Sequence, residues 1–74
     1  MEIIGTIQYD ITPSYYVIVE AAPSADRTNP DYQEVWPPPQ QNPRAFDITV
    51  PTSEPHWVIF YESADGITKG DIIT

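Results

Sequence analysis

Apolar and polar residues alternate along much of this chain. Ile3, Ile7, Tyr9 and Ile11 share one face of an extended segment, with Gly5 between them, and Thr6, Gln8 and Asp10 share the other. A period of two marks a half-buried strand. Thr12-Pro13-Ser14 predicts a turn. Tyr15 to Ala22 is apolar on both faces until Glu20, which predicts a central strand covered from both sides. Tyr32 to Trp36 predicts a short edge strand. It is closed by Pro37-Pro38-Pro39, expected to run on as stiff polyproline II. Arg44 to Val50 alternates again, with Phe46, Ile48 and Val50 inward and Asp47 and Thr49 outward. His56 to Glu62 predicts a second two-sided strand. Asp65-Gly66 is a turn signal, and Ile67 to Ile73 predicts a last strand weakened by Gly70.

Composition agrees with strands. The 74 residues include no Leu, 22 Ile, Val or Thr, nine aromatics and nine Pro. β-branched and aromatic side chains suit a pleated surface and lose rotamer freedom in a helix. The expectation is a single all-β domain over residues 1–74 with almost no helix. Its form would be a small antiparallel β-sandwich or a partly open barrel of about six strands. A chain this short buries a modest share of its surface, and without Cys it has no disulfide to add. Oligomerisation, a partner or a dense aromatic core would have to compensate.

The two halves resemble one another. Tyr9-Asp10-Ile11-Thr12, then Pro13, Ser14 and Tyr16-Val17-Ile18, is answered by Phe46-Asp47-Ile48-Thr49, then Pro51, Ser53 and Trp57-Val58-Ile59. Ser24-Ala25-Asp26 and Asp31 correspond to Ser63-Ala64-Asp65 and Asp71. An internal repeat of 1–37 and 38–74 would make two three-stranded meanders about a pseudo-twofold axis. The Pro-rich connection over 23–45, with six of the nine prolines, would then be a rigid crossover. Reuse of a few residue types by turns and strands is the alternative reading.

Charge narrows the partners. The formal net charge is −8, from 11 acidic and three basic side chains. Arg27, Arg44 and Lys69 cannot form the basic patch that nucleic acid or anionic lipid requires, so neither is an expected partner. No apolar run approaches the roughly 20 residues of a membrane helix. Residues 1–7 carry Glu2 and no basic stretch, so they do not read as a signal peptide. Cytosolic synthesis without export is the simplest expectation, and the final location, a virion or a host-cell cytoplasm among the options, is left open.

Candidate chemistry is sparse. His56 is the one histidine, and Ser53 lies near it in sequence without any reason to align as nucleophile and base. No phosphate loop or dinucleotide fingerprint is present. Asp26, Asp31 and Glu34, or Asp65 and Asp71, offer oxygen ligands, but not at EF-hand spacing, and Asp in turns ordinarily caps its own backbone. The expectation is no enzyme, no metal and no cofactor.

Aromatic residues are the most informative feature. They fit an aromatic core, a protein interface or a sugar-stacking platform. The residues selected for partner binding are Tyr32, Trp36, Pro37, Pro38, Pro39, Trp57, Tyr61, Ile72 and Ile73. They combine the Pro-rich arm, aromatics on two-sided strands and an apolar C-terminal edge. The leading expectation is a structural or assembly protein that self-associates, or binds other protein subunits, through edge strands and aromatic patches. A viral accessory component, such as a capsid decoration or tail protein, is the setting in which such small β-subunits are common. A small acidic inhibitor docking on a basic, nucleic-acid-binding host enzyme is the alternative. A carbohydrate-binding module comes third.

Overall fold

The computed structural model describes residues 1–23 and 28–73. The chain is all-β: five antiparallel strands in two sheets, with no helix among the described residues. The strands are β1 (Glu2–Ile7), β2 (Tyr16–Pro23), β3 (Tyr32–Trp36), β4 (Arg44–Thr49) and β5 (His56–Ser63). One sheet holds β1 and β4, and the other has the order β3-β2-β5.

The two sheets face each other across one core. Val17, Val19 and Ala21 on β2 pack with Ile48 and Val50, and with Trp36, Tyr9 and half-buried Phe46, Val58 and Phe60. Phe60 meets Trp36 at 5.7 Å and Phe46 at 5.6 Å between ring centroids, so three aromatics link both sheets. The inward set of β4 is the one its alternation predicts. β2 is buried on both faces, including Ile18, Glu20 and Ala22 on the side away from β1 and β4.

The first strand stops at Ile7, short of Ile11, although Tyr9 and Ile11 still turn into the core. Its partner strand ends here. The Asn42 side chain takes over: the Tyr9 N–H donates to Asn42 Oδ1 at 3.2 Å, and Asn42 Nδ2 donates to the Tyr9 carbonyl. At the other end of the same ladder, the Met1 ammonium and the Val50 carbonyl, and the Val50 N–H and the Met1 carbonyl, bond at 2.8 Å each.

The Pro-rich connection is no straight rod. It bends at residues 38–39 and 42–43, and the Pro38–Pro39 and Asn42–Pro43 peptide bonds are cis. Gln40 ties it down, donating to the carbonyls of Tyr15 at 2.9 Å and Trp36 at 3.0 Å and accepting the Tyr9 hydroxyl at 3.0 Å. The polyproline II expectation for Pro37-Pro38-Pro39 is therefore corrected: the side chains that follow it fold it back onto the domain.

The expected strand from Ile67 to Ile73 shrinks to a single bridge between Tyr61 and Ile72. Five strands and no closed barrel replace the expected six. The cause is local. Asp65 Oδ1 accepts the N–H groups of Ile67 and Thr68 at 2.8 Å each, and Gly66 takes a left-handed φ of 78°. Those donors serve a turn, and the backbone reaches β5 through Gly70 and Ile73, whose N–H groups donate to the Glu62 and Phe60 carbonyls at 2.8 Å each. The Thr12–Ser14 turn forms as expected, closed by the Tyr15 N–H on the Thr12 carbonyl at 2.9 Å. The Ser24-Ala25-Asp26 turn, Arg27 and Thr74 lie outside the described residues.

Gly5 is required for packing. A Cβ there would lie 2.7 Å from Cζ of the Phe46 ring, which crosses over its cross-strand partner. Gly5→Val raises strand propensity but displaces that ring. It should lower stability in urea unfolding by about 1–3 kcal/mol, the usual cost of overpacking.

Candidate functional site

The outer face of the three-stranded sheet collects the most unusual side chains. Antiparallel register places Val35, Ile18 and Tyr61 side by side, and the Tyr61–Ile72 bridge extends that row. Val35 is 40% exposed and Ile72 55%. The next row holds Gln33, Glu20 and Ile59, and beyond it Ala22 pairs with Trp57, which is 45% exposed. This face is an apolar strip with one carboxylate set into it.

Glu20 is 1% exposed. Gln33 Nε2 donates to its Oε2 at 2.7 Å, and Lys69 Nζ lies 3.2 Å and 3.1 Å from its two oxygens. The same ammonium sits 5.1 Å from the Tyr61 ring centroid. The loop after β5 delivers it. Gly66 presses on the Tyr16 ring, where a Cβ would come within 2.9 Å of Cδ2, and Lys69 then reaches across the sheet. A buried carboxylate needs a paired cation and filled hydrogen bonds, and this geometry supplies both. Arg44 is similarly occupied, its guanidinium carbon 4.0 Å from the centroid of the Trp36 ring. Neither described basic residue is a bare surface charge.

A second polar cluster joins the loop before β3 to the start of β5. His56 Nε2 lies 2.8 Å from Asp31 Oδ2, and its Nδ1 lies 2.7 Å from the Glu54 carbonyl. Both neighbours accept, so both ring nitrogens must donate, which the imidazolium alone can do. The Asp31 hydrogen bond is the largest cause of a His56 pKa above the ordinary 6.5, opposed by desolvation. On β3 the Tyr32 hydroxyl donates to Glu34, which pushes its pKa up to about 12, and the Trp36 indole N–H donates to the same carboxylate at 3.1 Å. On β1, a hydrogen bond with Asp47 raises the Glu2 carboxyl above its usual range.

The sequence-selected residues do not form one patch. Trp36 is 2% exposed and packs in the core with Tyr32, and Ile73 also leans on the core. Trp57, Tyr61 and Ile72 lie on the outer face. Pro37 and Pro39 are exposed and Pro38 is half-buried in the tied-down connection. Sequence reading missed Val35, Gln33, Glu20 and Lys69. Glu20 did carry a signal, as a charge inside a two-sided strand, but its partner lies far along the chain and follows no spacing rule.

The site has no histidine–serine pairing: His56 is held by Asp31 and Glu54. Among the described residues no pocket is present, and no three His, Asp or Glu side chains gather as metal ligands. What the arrangement offers is flat: an apolar strip and strand edges.

Two outcomes test this geometry. Lys69→Met leaves the Glu20 carboxylate short of its cation and should cost about 1–3 kcal/mol in urea unfolding. Val35→Ala, on the same face, should cost much less because that side chain is half in solvent already. For His56, the NMR titration midpoint should lie above 6.5 and fall back in Asp31→Asn. A raised folded-state pKa means that its stabilisation is fully present below pH 6.5 and is lost as pH rises through the folded value. Wild type should lose stability over that window relative to Asp31→Asn.

No known family model, curated protein or solved structure matches this chain.

Proposed function

We propose that this chain is a non-enzymatic structural or assembly protein that works by associating with further copies of itself, as a component of a larger particle. The observation that carries the reading is the two-stranded β1–β4 sheet, in which each strand has one neighbour among the described residues and one open edge. An isolated strand pair is marginal in water, and open edges are templates for another chain. Ile4 stands on the outer face of that sheet and is 70% exposed. Val35, Trp57 and Ile72 add an exposed apolar strip to the other sheet. Together these give a second copy both backbone and side-chain surface to meet.

A second reading has its own support. Arg44 and Lys69 are both engaged internally, so carboxylates dominate the surface charge they leave. That favours a basic partner surface, as an acidic inhibitor would use. A sugar-stacking role would rest on Trp57, since Trp36 and Phe60 are committed to the core.

Light scattering on a sizing column at low and high salt separates the first two readings. Assembly through apolar surface and strand edges should give a discrete oligomer that persists at high salt. Val35→Glu combined with Ile4→Lys should break contacts between outer faces and lower its molar mass without loss of the folded-state circular dichroism. A monomer at both salts would overturn the assembly reading and favour salt-sensitive binding to a basic protein.

A further inference from the structure

The strand pairing carries an internal twofold relation more exact than the sequence repeat. In the β1–β4 ladder Gly5 pairs with Phe46, and in the β2–β5 ladder Val19 pairs with Phe60. The same sequence offset separates both pairs. Applied to either ladder, that offset exchanges its two strands and keeps inward residues inward: Val17 corresponds to Val58 and Val19 to Phe60. The two ladders thus share one offset, and the Phe46 and Phe60 rings at these positions meet at 5.6 Å between centroids.

Hydrogen bonds obey the same relation. Met1 and Val50 close one end of the β1–β4 ladder through their backbones, and Tyr9 with the Asn42 side chain closes the equivalent other end. The Asp31 N–H on the Ala21 carbonyl at 3.0 Å has a counterpart two residues out of register, the Gly70 N–H on the Glu62 carbonyl at 2.8 Å. β3 beside β2 is matched by the Ile72 bridge beside β5. The repeat seen in sequence paired residues 9–12 with 46–49, whereas the structure pairs the β1 segment with β4.

Each half thus finds its partners in the other half. β1 needs β4, and β2 needs β5. Such an interface is the same from both sides, as in a twofold homodimer. Residues 37–43 alone join β3 to β4 and decide whether those partners come from one chain.

We infer that the partner of this chain is a second copy that exchanges halves with it, residues 1–36 of each chain folding onto residues 44–73 of the other. The proposal rests on the self-association reading and adds to its edge and face contacts an exchange of halves. Exchange recreates every ladder and core contact, and what changes is the path of 37–43, which Gln40 and Asn42 otherwise hold closed.

The chain has no Cys, so a bridge can report which chain supplies β4. Thr6 and Ala45 pair directly and are both exposed on the outer face of the β1–β4 sheet. They alternate with the hydrogen-bonded Met1–Val50 position, so their Cα atoms should be about 4.5 Å apart, within disulfide reach. The full chain carrying Thr6→Cys and Ala45→Cys is unfolded in urea, refolded at rising concentration, oxidised and run on a non-reducing gel. Half exchange predicts a covalent dimer with no higher ladder. A tenfold rise in refolding concentration should raise its ratio to bridged monomer about tenfold in the dilute regime. Thr6→Cys alone and Ala45→Cys alone should give little dimer. Bridged monomer at every concentration overturns the proposal. If light scattering on that sample still shows an oligomer, self-association stands and exchange falls. If it shows monomer, both fall.

Discussion

β2 has no solvent side. It lies between β3 and β5, presses Val17, Val19 and Ala21 onto the β1–β4 sheet, and is buried on its other face as well. Much else follows from covering that strand. The inner face needs a second sheet, which brings β1 at the start of the sequence together with β4 beyond its middle. The outer face needs a lid, which the loop after β5 provides by laying Gly66 on Tyr16 and Lys69 on Glu20. Removing a charged residue from water is costly unless its partners are in place, so the lid and the buried carboxylate depend on each other.

The aromatic content divides along the same line. Trp36, Phe46, Phe60 and Tyr9 fill the space between the sheets, where a core without Leu needs volume. Trp57 and Tyr61 stand on the other face of the same sheet, because successive residues of β5 point in opposite directions. The candidate surface is therefore built from the alternate members of strands whose other members make the core. A substitution on this face acts on association and on the cover of β2 together, which is why exposed Val35 and Ile4 are the informative positions.

The Pro-rich connection is the one link between halves whose elements otherwise pair across the middle of the sequence. Its polar residues hold it closed: Gln40 bridges three groups, and the Asn42 side chain bonds both backbone groups of Tyr9. A connection fastened by side-chain bonds, and not by a core of its own, can open without unpacking the sheets first.

Composition and local pattern determined the all-β class, the position of β3 at Tyr32–Trp36, the two-sided character of β2, and the inward set Phe46, Ile48 and Val50. These are local properties, since a strand's faces follow from a period of two. Tertiary structure decided the rest. Whether Ile67 and Thr68 joined a strand depended on the competing demand of Asp65 for their N–H groups. The path of the prolines depended on Gln40 and Asn42 finding Tyr9 and Tyr15. The cation for Glu20 is Lys69, chosen by how the last loop folds over the sheet. Each of these joins residues far apart in sequence or sets two local preferences against each other. No periodicity encodes such a choice, because it is made by the free energy of the whole packed chain.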